Sequence, residues 1–588
     1  MRLLSSAASS PIARALALML AILAVPAQAD RLVAVTINGL DGPLLINATK
    51  FLGIEKLRAD GDDRSETFLR YQFSRGEDEI RDALEPFGYY QVTIESRFEA
   101  RPDGSGWAAT FDVDRGPQVV FGEIAIALGE AEGDDAVKQA RAAMNLAPGA
   151  PFTHAAYEET KRKLQNLLAG LGYFENQLVE NRVLVDPEAG TADVTLMLDS
   201  GPRYRFGPTR FEGSQFTEAF MSRFGRLPIG EYFDEQELRS LQRNLVQVEY
   251  FDDAFVQPQV DEANDQLEVP VVVTTSPNRR IRYTAGINFG TDSGIGVQLR
   301  TIRRWVNDRG HSVEGDLEYG TRDRRLTAGY RIPGRDLDTS YLISGGYDYT
   351  DTDAYIEERE FVAGTRSRKW GDWNLTETLS YNIENFEVGD QADEQKYLLG
   401  AVTAERVRAD DRIFTRRGWR IEATVRGVEE SLASDFSILQ LDVTGQWIRM
   451  LGEKNRILLR GRLGTSLADD LVNLPASLRF FTGGDRSVRG FDFESLGPRN
   501  DEGEVIGGRH VAVISATAEH YFREKWGIAG FVDAGNAFET DDFTPAFGVG
   551  LGARWISPIG LVRVDLAVGI EDDEDNTFRM HLNIGPDL

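Results

Sequence analysis

Alternation of apolar and polar positions fills the second part of the chain, from residue 278 to residue 588. Runs of about ten alternating residues are separated there by turn residues, as in transmembrane β-barrels. Apolar side chains take the odd positions of residues 280–289 and the even positions of residues 578–584. A soluble sandwich also alternates, but it seldom keeps charged residues on the other face of nearly every strand. The pattern therefore predicts an all-β transmembrane barrel of about 16 antiparallel strands, about eleven before one long interruption and about five after it.

The first part of the chain is repetitive. Gly116-Pro117 recurs as Gly201-Pro202, 85 positions later, and Gly88-Tyr89 recurs as Gly172-Tyr173, 84 positions later. Nearly equal offsets of independent motifs indicate tandem domains. Each unit begins with a short strand, continues with two amphipathic helices, and ends with two strands after the Gly-Tyr turn. Three α+β units of the order β-α-α-β-β are predicted, at residues 31–117, 118–202 and 203–276.

Residues 1–29 have the pattern of a secretory signal peptide. Arg2 and Arg14 supply its positive region, residues 15–25 its apolar core, and Ala27-Gln28-Ala29 a cleavage site of the small-x-small type. The apolar core is shorter than the ~20 residues that span a bilayer as a helix. We therefore expect cleavage before Asp30 and export from the cytoplasm.

Composition excludes several classes of function. The chain has 65 basic and 94 acidic residues, a net charge of -29, which argues against a nucleic-acid partner. Cysteine is absent and only five histidines occur, so disulfides, thiolate metal sites and cysteine nucleophiles are excluded. Neither a Gly-x-Ser-x-Gly elbow nor a phosphate-binding P-loop is found. We predict no enzymatic activity and no cofactor, and no residues here are spaced as metal ligands. We interpret the acidic run 571–575 as a solvated turn, with calcium binding as the alternative.

A long interruption of the alternating pattern lies between about residues 467 and 507. About 40 residues far exceed the usual length of a connection between strands. Its phenylalanines argue against disorder, and Arg489 offers a fork of donors for a carboxylate. The interruption therefore suggests a folded loop held against a wall by one arginine, although an exposed turn with a solvated Arg489 is an alternative. The phenylalanines are Phe480, Phe481, Phe491 and Phe493.

The same loop carries a family resemblance. Its motif resembles the Val-Arg-Gly-Phe/Tyr loop motif of the outer-membrane assembly superfamily, which includes BamA, TamA and the two-partner secretion transporters. Residues 530–536 and 550–565 resemble the barrel segments of the same superfamily, and the repeats resemble its periplasmic POTRA domains. Three repeats and a C-terminus without a terminal aromatic residue are most similar to the TamA type. The motif residues are Gly483, Gly484, Asp485, Arg486, Val488, Arg489, Gly490 and Phe491.

The resemblance implies that the loop arginine pairs with a carboxylate of the barrel wall. Alternation along the strands turns Asp533 toward the lumen, and Asp533 is the first candidate partner of Arg489. Glu519 is inward by the same count and is the second candidate. The alternative is that water and neighbouring side chains neutralise the lumen charges.

The resemblance also implies a site at the seam between the first and last strands, where a client strand would be inserted. Pro586 cannot donate to a β-ladder, which predicts a weak seam near the C-terminus. The expected function is assembly of autotransporter-type barrel proteins together with an inner-membrane-anchored TamB-like partner. A two-partner secretion transporter that exports one cognate protein is the alternative. For the repeats, strand addition at an exposed edge and a purely spacing role remain open. The predicted seam residues are Arg280, Ile281, Arg282, Tyr283, Phe578, Met580, Leu582, Gly585 and Pro586.

Overall fold

The computed structural model covers most of the chain. The described residues are 32–60, 65–102, 104, 106–142, 147–292, 294–411, 413–468, 471, 473–539, 543–558, 560–570, 577–585 and 587. The predicted signal peptide, the acidic run 571–575 and Pro586 lie outside them. No helix among these residues has the length and hydropathy of a membrane span. They form two compact units, one holding the first two repeats with part of the third, the other holding the remainder of the third with the barrel.

The first repeat has three helices on a three-stranded sheet, one helix more than predicted. Leu52 adopts an extended conformation and divides the first helical stretch in two. The longest helix begins after Ser65, whose side chain accepts a hydrogen bond from the Phe68 N–H. Leu69, Ile80 and other buried residues of that helix pack on the sheet. The elements are β1 (Leu32–Asn38), α1 (Gly42–Phe51), α2 (Gly53–Asp60), α3 (Glu66–Leu84), β2 (Thr93–Ala100) and β3 (Gly106–Asp114).

The second and third repeats have the predicted order of strands and helices. Thr153 caps the longer helix of the second repeat, and Tyr157, Leu164 and Leu168 form its buried face. In all three sheets the last strand of the repeat lies in the centre, so the first and second strands are edges. The elements are β4 (Val120–Ala127), α4 (Asp135–Ala142), α5 (His154–Gly170), β5 (Gln177–Asp186), β6 (Thr191–Asp199), β7 (Arg205–Glu212), α6 (Glu218–Met221), α7 (Glu235–Gln247), β8 (Phe251–Pro258) and β9 (Glu268–Pro277).

After β9, the described residues contain one antiparallel sheet of 16 strands in sequential order, which confirms the predicted fold class. The strands are β10 (Ile281–Gly290), β11 (Gly294–Arg303), β12 (Ser312–Gly320), β13 (Asp323–Pro333), β14 (Ser340–Asp351), β15 (Tyr355–Trp370), β16 (Trp373–Val388), β17 (Gln391–Ala409), β18 (Arg417–Val428), β19 (Ile438–Leu451), β20 (Asn455–Ala468), β21 (His510–Arg523), β22 (Trp526–Phe538), β23 (Ala546–Ser557), β24 (Gly560–Ile570) and β25 (Thr577–Gly585).

Alternation along these strands separates an apolar outer face from a polar inner face. On β16, Ser380, Asn382 and Glu384 are buried on the inner side, whereas Leu379 and Tyr381 are exposed on the outer side. Strand length varies around the sheet. β15, β16 and β17 have 16, 16 and 19 residues, but β10 has ten and β25 has nine. β10 and β25 have no more than the roughly 9–11 tilted residues that cross the hydrocarbon core, so the wall is short where its first and last strands meet.

Candidate functional site

The connection between β20 and β21 is a folded loop that packs on the inner face of the barrel. Short bridges stabilise it internally, between Phe480 and Gly508 and between Thr482 and Leu496. Its apolar side chains form a cluster with residues of β21, β22 and β23. This cluster contains Phe480, Val488, Phe491, Leu496, Val511, Val513, Ala537 and Ala546. Phe480 and Phe491 are therefore part of a small core, and Phe481 belongs to a second cluster with Phe386 and Val388 of β16.

Two glycines allow the loop backbone to lie directly on the wall. Gly490 has a φ of +102°, and a Cβ at this position would overlap the backbone of Gly569 on β24. On the wall side, a Cβ at Gly548 would overlap the carbonyl of Arg489. Contact of this kind requires that no side chain stands between the two backbones. Gly483 and Gly484 also have positive φ, at +105° and +100°, where the loop turns.

Arg489 is the centre of the contact between loop and wall. Its Nε and Nη2 donate to the two oxygens of Asp533, both at 2.7 Å, and its backbone N–H donates to the same carboxylate at 3.1 Å. Nη1 donates to Asp565 at 2.9 Å. The side chain of Arg489 is 6% exposed and that of Asp533 is 0% exposed. A forked pair in such shielded surroundings is one of the stronger polar interactions in proteins.

Neighbouring residues complete the surroundings of the guanidinium. The hydroxyls of Ser515 and Thr517 each accept from Nη2 at 3.2 Å. The ring of Phe531 lies under the group, with 3.4 Å between its centroid and Cζ. The N–H donors of the guanidinium, its positive charge and its planar face all have partners. Removal of Arg489 would therefore leave the carboxylate, the two hydroxyls and the ring without the group that they contact.

Glu519, the second candidate, pairs elsewhere. Its carboxylate accepts from Arg456 Nε and from Arg554 Nε, both at 2.7 Å. The reason is the register of the sheet. Ser515 lies opposite Asp533, whereas Glu519 is four residues further along β21, which is about 13 Å in a strand. The second carboxylate beside Arg489 is that of Asp565, whose inward position also follows from the alternation of residues 562–568.

Beyond Arg489, alternating charges continue along the inner wall to the end of the chain. Arg554 links Asp565 at 2.5 Å to Glu519, and Arg456 links Glu519 to Asp587 at 2.6 Å. Four arginines and four carboxylates balance one another in this row. Its members in order are Asp533, Arg489, Asp565, Arg554, Glu519, Arg456, Asp587 and Arg563.

Asp587 is a site residue that sequence reasoning missed. Its side chain is 0% exposed and also accepts from Arg563 at 2.6 Å and from the backbone N–H of Thr415 at 2.9 Å. Its own carbonyl accepts from Gln446 at 3.0 Å. Asp587 therefore lies inside the barrel. Because Asp587 follows the last strand, no periodic pattern extends to it, and its sequence gives no signal for this role.

The seam between β10 and β25 differs from every other strand junction. Among the described residues no backbone ladder joins these two strands, and the Leu582 N–H donates to the Thr291 side chain at 3.3 Å. Over the described residues, the edge of β10 that faces β25 takes part in no strand pairing. Tyr283 and Ile287 on this strand are 70% and 83% exposed.

The predicted seam residues lie along these two strands. Ile281 is exposed on β10, and Phe578 and Met580 are exposed on β25. Arg282 pairs with Glu249 of the third repeat. Gly585 closes β25 opposite Leu561 on β24. The Nε of Arg280 donates to the Trp305 carbonyl at 3.1 Å, just before β10 begins.

The loop motif contacts both sides of the seam. On one side, the N–H of Asp485 donates to Asp292, in the turn after β10, at 2.6 Å. On the other, Asn583 of β25 donates to the Asp485 carboxylate at 2.7 Å, and His581 accepts from the Gly490 N–H at 3.0 Å. Arg486 lines the lumen cavity of 660 Å³ beneath the loop. The motif thus connects two strands that have no ladder between them.

Comparison with known proteins agrees with this architecture. An Omp85 superfamily domain model matches residues 306–587, a model described as POTRA domain TamA domain 1 matches residues 34–115, and a POTRA model described as a surface antigen variable number repeat matches residues 120–201. The outer membrane protein assembly factor BamA of Nitratidesulfovibrio vulgaris is 22% identical over 448 residues, 71% of this chain and 55% of its own length. BamA of Neorickettsia risticii is 21% identical over 550 residues, 87% of this chain and 72% of its own.

A solved structure shares the fold. The crystal structure of BamA from Haemophilus ducreyi lacking POTRA domains 1–3 superposes with a TM-score of 0.70 at 16% identity, covering 79% of this chain and 98% of that one. The chain spans only about half of the first curated relative. With its barrel, its lumen loop and its preceding repeats, the chain belongs to the Omp85 superfamily of outer-membrane β-barrels with periplasmic POTRA domains and is homologous to BamA.

Proposed function

We propose that the chain inserts β-barrel proteins into the outer membrane by offering the free edge of β10 to an incoming strand. The observation that carries this proposal is the seam, where β10 and β25 share no ladder in the described residues. An unpaired strand edge presents a row of N–H and C=O groups that can pair with another chain. In a bilayer each unsatisfied group costs several kcal/mol, which favours pairing with a client strand.

The dimensions of the wall support the same proposal. The two seam strands are among the shortest of the barrel, and the strands on the other side are up to 19 residues long. A short hydrophobic wall is matched by local thinning of the bilayer. Thinner lipid beside the free edge lowers the barrier for a polar strand that enters the membrane there.

The lumen loop has a structural role in this proposal. It performs no bond chemistry and holds β25 and the turn after β10 in place through Asp485, Asn583 and His581. Entry of a client breaks the contact of Asp485 with Asp292 on the β10 side, while Asn583 and His581 keep β25 attached to the loop. Arg489 and its carboxylates fix the loop from which these contacts are made.

We further propose clients of the autotransporter type and an inner-membrane-anchored TamB-like partner. The support is the match of the first repeat to a model of TamA domain 1 and the number of three repeats. A partner of this kind could add a strand to a repeat. The edge strand β5 is suited to this because it exposes Val179 and Leu184.

A lock across the seam tests the proposal. Thr291→Cys with Leu582→Cys places two thiols at the contact between the turn after β10 and β25, in a chain with no other cysteine. Oxidation should stop client insertion into liposomes, reduction should restore it, and each single variant should remain active. Full insertion with a locked seam would refute the proposal.

Proteomics of cells with and without the protein distinguishes an assembly factor from the alternative, a two-partner secretion transporter. Loss of autotransporter-like barrels from the outer membrane supports an assembly factor. Loss of one secreted protein from the medium, with membrane barrels unchanged, would instead indicate a two-partner secretion transporter.

A further inference from the structure

A groove of 660 Å³ crosses the outer face of the barrel from β13 to β18. Two neighbouring cross-strand rows line it. One row consists of Ile332, Tyr341, Arg366, Glu377, Val402 and Val425, and the other of Ile343, Gly364, Leu379, Gly400 and Gly427. At about 30 Å³ for each group of the size of a water molecule, the groove has space for roughly twenty such groups. This is about the number of carbon atoms in one acyl chain.

Glycines create this groove. A Cβ at Gly364 would meet no atom within 4 Å, and one at Gly400 would meet only the Gly427 carbonyl, at 4.0 Å. Ile343 and Leu379 stand beside them and are each 56% exposed. Close packing against a neighbouring atom therefore does not explain these two glycines. Their effect is to leave open space on the lipid-facing wall.

Charged side chains lie at the middle of one long side of the groove, on β15 and β16. Glu377 accepts from Arg366 at 3.3 Å and from Arg368 at 2.9 Å. Two guanidinium groups share one carboxylate, which leaves one positive charge in excess. Arg368 Nε has no hydrogen-bond partner in the described part of the chain.

The charged side of the groove is its periplasmic side. Since β10 begins directly after the periplasmic repeats, every odd-numbered strand runs toward the periplasm, and the turn between β15 and β16 is periplasmic. Trp370 and Trp373 flank this turn and pair with each other, and Trp370 is 67% exposed. Tryptophans at such positions mark the level of the lipid headgroups.

We propose that this groove binds an anionic glycerophospholipid of the periplasmic leaflet. One acyl chain fills the space above Gly364 and Gly400, and the phosphate lies near Arg366 and Arg368. Apolar packing alone selects little in a bilayer, because lipid tails are as apolar as the wall. The excess cation supplies the preference for an anionic headgroup. The site depends on the outer-membrane location of the barrel and is independent of the proposed client insertion.

Three variants of the full-length protein test this site. Gly364→Leu fills the groove. Arg368→Gln removes the excess charge and leaves the pair of Arg366 and Glu377 intact. Gly445→Leu is the matched control, because Gly445 lies on β19 outside the groove and a Cβ there would also meet no atom within 4 Å.

Native mass spectrometry of detergent-solubilised protein with phosphatidylglycerol, phosphatidylethanolamine or lipopolysaccharide measures the binding. The wild type and Gly445→Leu should retain one phosphatidylglycerol, and Gly364→Leu should lose it. Arg368→Gln should bind it roughly fivefold more weakly, the effect of one cation near a membrane surface. Equal retention of phosphatidylglycerol by all four proteins would overturn the proposal, as would equal retention of the two lipids by the wild type. Preferred binding of lipopolysaccharide would overturn it too.

Discussion

Substitution of Arg489 by alanine should release the loop from the barrel wall. The change leaves Asp533, which is 0% exposed, without a guanidinium partner, whereas Asp565 retains Arg554. Loss of one partner of a buried pair costs about 3–5 kcal/mol. Because each 1.4 kcal/mol changes an equilibrium tenfold, the population of the released loop should rise by roughly 100-fold to 4,000-fold.

Labelling of a single cysteine measures this population. Val488→Cys is suitable because Val488 is 0% exposed in the loop and the chain has no other cysteine. Its rate of reaction with a maleimide reports how often the loop opens. Glu502→Cys, at an exposed position of the same loop, gives the intrinsic rate. Arg489→Ala should accelerate labelling at position 488 and leave the rate at position 502 unchanged.

Two further variants sharpen this experiment. Arg489→Lys keeps the charge but loses the fork, and should accelerate labelling less than alanine does. Glu519→Gln removes a carboxylate that bonds to Arg456 and Arg554, so it should leave labelling at position 488 nearly unchanged. Slow labelling in folded Arg489→Ala, or equal acceleration by Glu519→Gln, would refute the assignment of Arg489 as the residue that holds the loop.

Two other predictions concern Asp587 and Gly490. Asp587→Asn should lower the thermal unfolding temperature and expose the C-terminus to carboxypeptidase, because Arg456, which is 0% exposed, loses one of its two carboxylates. Asp351→Asn, at an exposed position, is the control. Equal stability of both variants would contradict the prediction. Gly490→Ala should displace the loop by overlap with the wall and accelerate labelling of the buried cysteine. Gly503→Ala, which has a positive φ but open space, should not do so, and equal labelling rates in the two glycine variants would contradict this explanation.

Local patterns were sufficient to predict the architecture. Alternation with period two depends only on which face of a strand meets lipid or lumen, so the runs after residue 278 predict both the barrel and its 16 strands, eleven before the loop and five after it. Motifs that recur at nearly equal offsets predict the three repeats, because each repeat is a local unit of the chain. The first repeat has a third helix because Leu52 interrupts the first helical stretch, a break that the helical pattern does not reveal.

The partners of the charged residues depended on tertiary structure. Alternation turns Asp533 and Glu519 inward, but only the register of β21 against its neighbours places one beside Arg489 and the other beside Arg456. The absence of a ladder between β10 and β25 in the described residues, the turn of Asp587 into the lumen, and the groove across six strands also depend on residues far apart in the chain. Sequence determined which face each side chain takes, because that is a local property of a strand. The level of each side chain along the barrel was decided by strand stagger, which is set by non-local pairing.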